Sequence, residues 1–169
     1  HVEPRLRPRV GHDLVRPLVV WRAGGARGDQ HDSARAGRVD DARLAPIWET
    51  AGELGLPVLI HVADPLAFFD PIDETNERWE EIGEHPDWAF TSPPFPPFMH
   101  IMNGFKNLVT RHRNTTFIGA HVGCYGENLG WVGQMLDDCP NYYIDISARL
   151  GEIGRQPYTD GLGLEQVGV

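Results

Sequence analysis

An α/β fold built on a parallel sheet is the architecture this sequence predicts, and three observations predict it. Two apolar runs, Pro57-Val58-Leu59-Ile60 and Thr116-Phe117-Ile118-Gly119-Ala120, each end in a histidine and then break into a loop. A buried parallel strand ends this way when it delivers a side chain to the open end of a sheet. Helix-like and strand-like stretches alternate from about residue 41 onward, which is the pattern of parallel strands joined by right-handed crossovers. The helix-like stretches repeat apolar residues at three- and four-residue intervals, and the strand-like ones do not.

The elements follow in order. Leu44, Ile47, Trp48, Ala51 and Leu54 recur at helical spacing; Asp40 or Asp41 can cap the start, and Gly55 stands where a helix ends. Leu56 to Val62 reads as a fully buried strand, too continuously apolar for a half-exposed one. Ala63 to Pro97 is long and irregular, punctuated by Asp64-Pro65, Asp70-Pro71, His85-Pro86 and Ser92-Pro93-Pro94-Phe95-Pro96-Pro97, with a short helix expected over Glu74 to Gly83. Phe68, Phe69, Trp79, Trp88, Phe90, Phe95 and Phe98 make this stretch an ordered lid or packed wall rather than a solvated linker. Phe98 to Arg111 reads as a helix with Met99, Met102, Phe105 and Val109 on its apolar side. Thr115 to Ala120 is a second buried strand. Glu127 to Asp138 is a helix stopped by Pro140, with Leu129, Val132, Met135 and Leu136 at core spacing, and Tyr142 to Ser147 is a third strand.

Composition bounds the rest. The 169 residues suffice for one domain with its own core. Net charge is −9 at pH 7, which argues against a general nucleic-acid binder. No run approaches the roughly 18 apolar residues of a membrane span, and no signal-peptide h-region is expected among the Arg-Pro pairs near the N-terminus. Cys124 and Cys139 make no disulfide framework, so two free thiols in a reduced, cytoplasmic protein are expected. A seam lies near residue 40. Residues 1–40 hold eight arginines and five acids, whereas 41–169 hold seven bases and nineteen acids. Residues 1–40 carry one apolar run, Leu18 to Trp21, and too little apolar surface otherwise to offset their ordering entropy. They are expected to be disordered or unrelated to the domain at 41–158. Residues 159–169 are expected to be an irregular tail.

His61 and His121 occupy equivalent places at the ends of two successive strands, where α/β sheets bind ligands. Either alone could be a core histidine satisfied by a carbonyl; the pair points to a shared metal ion. Glu127 could orient an imidazole or move a proton, or simply favour a helix N-terminus. Asp64 either bonds near the site or caps a turn. Asp145 is expected to be structurally paired, and Arg149 either binds a substrate carboxylate or pairs with Asp145. His85, His100 and His112 are expected on loop or helix surfaces. Gly119, Gly123 and Gly126 spell neither a dinucleotide fingerprint nor a P-loop.

Four strings in this order resemble the amidohydrolase-related (amidohydrolase 2) family: Arg43-Leu44-Ala45-Pro46-Ile47-Trp48, Pro57-Val58-Leu59-Ile60-His61, Ser92-Pro93-Pro94-Phe95-Pro96, and Phe117-Ile118-Gly119-Ala120-His121-Val122-Gly123 with Glu127-Asn128. The resemblance covers residues 41–158. It implies a (β/α)8 TIM-barrel-like fold, of which this chain would supply about strands five to seven. It also implies a metal-dependent hydrolase in which metal-bound water attacks a carbonyl-type carbon, or a decarboxylase of the same family. His61 would be a metal ligand. His121 would be a second ligand or the group acting on the metal-bound water, and Glu127 the acid beside it. The metal would be divalent, zinc before others. The substrate would be a small molecule, aromatic or carboxylate-bearing, and a homo-oligomer is an open expectation. The His-x-His pair of the family's first strand and the Asp of its eighth are missing. The alternative expectation is therefore a catalytically inactive fragment.

Overall fold

Short β-branched and aromatic runs form the sheet. In the computed structural model, which describes residues 19–22, 38–91 and 95–155, four strands lie parallel in the order β1 (Val19–Arg22), β2 (Val58–His61), β3 (Phe117–Gly119) and β4 (Tyr142–Ile144). Val58 is in register with Val19 on one side and Phe117 on the other, and Phe117 with Tyr142. Among the described residues five α-helices of six residues or more accompany the strands: α1 (Ala45–Glu53), α2 (Trp79–Glu84), α3 (Phe98–Arg111), α4 (Leu129–Asp138) and α5 (Leu150–Arg155). None of the described helices is long and apolar enough to cross a membrane.

The core lies between one face of the sheet and α1, α3 and α4. Val58, Ile60, Phe117 and Tyr142 share that face by the two-residue period of a strand, and all are buried. Trp48 of α1 packs edge-on against Phe117 at 6.1 Å. It donates Nε1–H to Val39 O at 3.2 Å, and its own carbonyl accepts from Thr115 Oγ1 at 2.7 Å. Phe98, Met102, Phe105 and Val109 make the buried stripe of α3. Met99, expected on that stripe, stands 39% exposed, because a step of one residue turns it about 100° away from Phe98. Pro46 opens α1, where its missing N–H costs nothing. Asn128 caps α4 by accepting from Trp131 N at 2.9 Å.

Several elements differ from the sequence reading. Leu56 to Val62 is not uniformly buried: Leu59 and His61 are half-buried on the face opposite Val58 and Ile60. β1 falls inside the stretch that composition sets apart at 1–40; it is the run Val19 to Arg22, which gains its strand geometry by pairing with β2. The remainder of residues 1–37, and the tail at 159–169, lie outside the described residues. The helix expected from Glu74 starts only at Trp79. Asp73 Oδ1 accepts from Thr75 N, Asn76 Oδ1 accepts from Arg78 N, and Asn76 Nδ2 donates to Ala67 O and Pro71 O. These side-chain bonds compete with helical ones and hold residues 73–78 in turns. The third predicted strand stops at Ile144, and α5 follows where no helix was read.

The aromatic stretch packs as a wall. Trp88, Phe68, Phe90, Phe69, Phe98, Tyr125 and Trp131 form a continuous series of ring contacts, with centroids 4.9 to 6.5 Å apart. The series links the long 63–97 segment to the start of α4. Trp79, expected in this wall, is 45% exposed.

Candidate active site

His61 is the last residue of β2, and His121 comes two residues after β3. The parallel register brings the two strand ends together. The rings meet edge to face, centroids 5.3 Å apart at 80°, and both residues are half-buried. The structure thus unites the two histidines that the sequence placed at equivalent positions.

His121 sits on unusual backbone. His121 (φ 55°), Val122 (φ 59°), Gly123 (φ 64°) and Cys124 (φ 64°) are four consecutive residues in the left-handed region. For residues with a Cβ this conformation costs roughly 1–2 kcal/mol each and is normally visited singly. Val122 is β-branched, which makes its case the more severe. The end of β4 holds the turn. Val122 N donates to Asp145 O at 2.7 Å, and Asp145 N donates to Gly119 O at 3.1 Å. Within the turn, Cys124 N donates to Ala120 O at 2.8 Å. Tyr142 lies beneath it: a Cβ on Gly119 would come within 2.6 Å of Tyr142 Oη, and one on Gly123 would overlap that atom. Glycine is required at both positions, and at Gly123 by its φ as well.

A second set of bonds fixes the imidazole. His121 Nδ1 lies 2.8 Å from Ser147 O and 3.3 Å from Ser147 Oγ. A carbonyl only accepts, so Nδ1 carries the proton and Nε2 keeps its lone pair in the neutral ring. Asp145 Oδ1 accepts from His121 N at 3.3 Å, from Ser147 N at 2.9 Å and from the Ser147 hydroxyl. Burial pushes the Asp145 carboxyl up, but the Ser147 hydrogen bonds, then the His121 N–H and the His121 charge, outweigh it and hold the carboxyl below its ordinary value. Ser147 is absent from the site the sequence predicts, and Asp145 enters it only as a structurally paired acid. The Asp-x-Ser spacing, an Asx-turn signal, was the available clue.

Glu127 is half-buried. Its Oε1 accepts from Leu66 N at 3.3 Å and lies 3.9 Å from Arg149 Nη1. Its Oε2 is buried with no hydrogen-bond partner among the described residues. Neither of its described partners is an imidazole. Arg149 is buried and pairs with Glu152 at 3.0 Å, not with Asp145. Arg78 reaches the same Glu152 at 3.7 Å. Asp64 is half-buried in the loop after His61. Of the other histidines, His85 stacks on Trp88 at 4.2 Å and His100 lies 3.1 Å from Arg38. Both cysteines are free and buried. Burial pushes the Cys124 thiol up, which removes it as a nucleophile.

The two imidazoles suit a divalent metal as two of its donors, with His121 Nε2 available. Among the described residues no group of three His, Cys, Asp or Glu is arranged to hold one, whereas a zinc site uses at least three protein ligands.

An α/β sheet of parallel strands with paired imidazoles at adjacent strand ends defines a class of protein whose ligand site lies at the carboxyl edge of the sheet. The particular family follows from comparison: the amidohydrolase family model matches residues 18–166, and the chain belongs to that family. The match starts upstream of β1, beyond the 41–158 span that the sequence strings suggested. No curated protein and no solved structure matches the chain.

Proposed function

We propose that the protein is a metal-dependent hydrolase, with His61 and His121 as two of the metal's ligands in part of a (β/α)8 barrel. The observation that carries this reading is the 5.3 Å meeting of the two imidazoles at the carboxyl ends of β2 and β3, in a chain of a family whose members are typically metal-dependent. A divalent ion, zinc before others, would supply Lewis acidity or a bound water of pKa near ~7. His121 keeps one orientation and one protonated nitrogen through Ser147. Glu127 is the acid for proton movement, and its Oε2, buried with no hydrogen-bond partner among the described residues, supports this. The aromatic wall favours an apolar or aromatic small-molecule substrate. A cytoplasmic location, fitting two free thiols, and assembly as a homo-oligomer belong to the same proposal.

The test is hydrolysis of a panel of aromatic amides and esters with and without added Zn²⁺, beside His61→Ala and Glu127→Gln. Zinc-dependent turnover lost in both variants is the expected result. Turnover unaffected by a chelator and by His61→Ala would remove the reading. One observation favours a second reading, a catalytically inactive chain: two ligands rather than three stand together among the described residues. Absence of turnover on every substrate with zinc bound would support it.

A further inference from the structure

All four non-glycine residues with positive φ among the described residues, His121, Val122, Cys124 and Ala148, lie in the two segments that meet at His121. Strain gathered at one point persists only when the surroundings over-determine it, and such points mark function. Here the surroundings are the end of β4. Asp145 uses its backbone N–H, its backbone carbonyl and one carboxylate oxygen to bind Gly119, Val122, His121 and Ser147. Ser147 in turn takes the His121 Nδ1–H on its carbonyl. Ala148 (φ 57°) follows immediately after that carbonyl. Neither Asp145 nor Ser147 is one of the paired imidazoles, and a bond that merely closed β4 would have no reason to reach the neighbouring strand's histidine twice.

We propose that Asp145 is a positioning residue: through the His121 N–H and through Ser147 it locks the left-handed turn at His121–Cys124 and fixes His121 as the Nδ1–H tautomer, leaving Nε2 as its working nitrogen. The inference rests on the reading of His121 as a functional imidazole, but its geometry needs no metal. The carboxylate charge is not what the lock uses. Its oxygen acts as an acceptor, so an amide oxygen in the same place serves.

The test reads the imidazole directly. In ¹⁵N-labelled full chain without metal, at about pH 8 where an unperturbed imidazole is neutral, long-range proton–nitrogen spectra report which ring nitrogen is protonated; His121→Gln assigns the signal by its disappearance. The expected result is Nδ1 protonated in the unsubstituted protein and in Asp145→Asn, and loss of the single-tautomer signature to an averaged one in Asp145→Ala. An Nε2–H tautomer in the unsubstituted protein overturns the inference, whether or not any variant folds. A signature unchanged in a folded Asp145→Ala overturns it too. Zn²⁺ is then added to the same samples. A correct tautomer with no zinc-induced shift at His121 defeats the metal-enzyme reading and leaves the positioning inference standing; the wrong tautomer with a zinc shift does the reverse.

Discussion

His121 joins a left-handed backbone to a side chain anchored on the neighbouring strand's end. Its left-handed φ is held by bonds from the end of β4, and its ring by Ser147. Two expectations belong at this scale. His61→Ala and His121→Ala should each weaken Zn²⁺ binding, measured by calorimetric titration, by more than the ~10–100-fold typical of losing an outer partner. Gly123→Ala should destabilise the fold by at least ~2 kcal/mol in urea unfolding, from left-handed strain plus overlap with Tyr142 Oη. Tyr142→Phe removes a buried hydroxyl with no partner among the described residues, so it should be neutral or stabilising by up to ~1 kcal/mol. In that background the nearest remaining Tyr142 atom to the Gly123→Ala methyl is 3.4 Å away. The two substitutions should therefore couple favourably, by about 1 kcal/mol or more; strict additivity would contradict the packing described here.

At the scale of elements, the helices were legible because their apolar stripes survive as three- and four-residue spacings. Trp48 and Ala51 in α1, Met102, Phe105 and Val109 in α3, and Leu129, Val132 and Met135 in α4 are all buried. The strands were legible in place but not in extent, since a strand's ends are set by its neighbours' register rather than by its own residues. Beyond α5, neither β1 nor the left-handed turn was legible. β1 is four residues long in glycine- and arginine-rich surroundings, and only pairing with β2 distinguishes it. The left-handed turn places His, Val and Cys where local preference would put Gly or Asn, so no local rule announces it. The Asn128 cap follows such a rule, and Asn128→Ala should cost ~1 kcal/mol, read as a shift in the urea midpoint without a change in slope.

Over the whole molecule, three carboxyls tie segments together, and burial pushes each of them up. Hydrogen bonds from Arg38 and Asn107 bring Asp40 below its ordinary value; those from Ser147 and His121 do so for Asp145; Glu152's own N–H and Arg149 do so for Glu152. A folded pKa below the unfolded one gives stability that is complete above the unfolded value of ~4 and lost as pH falls through the folded one. The melting temperature should therefore decline gently below about pH 6.5, where burial holds His112 under its ordinary value, and fall more steeply below about 4, where the three carboxyls protonate. Asp40→Asn should shrink that fall, because it removes the Arg38–Asp40 pair, 2.7 Å long. A melting temperature that rises on acidification would be the wrong sign. The candidate site itself was half legible. His61 and His121 announced themselves by ending two apolar runs; Ser147 left only its turn with Asp145 as a local signal, and Tyr142 acts through a contact between segments that no local pattern records.

In the proposed function His61 and His121 bind one divalent ion together. Titrating Co²⁺ into ¹⁵N-labelled protein tests it most directly, because the paramagnetic ion broadens the signals of nearby nuclei even when binding is weak. The imidazole signals of His61 and His121 should broaden together at the lowest Co²⁺ concentrations, and His121→Ala should abolish the effect at His61. Broadening that starts at His85 or His100, or that leaves the pair untouched, would contradict it.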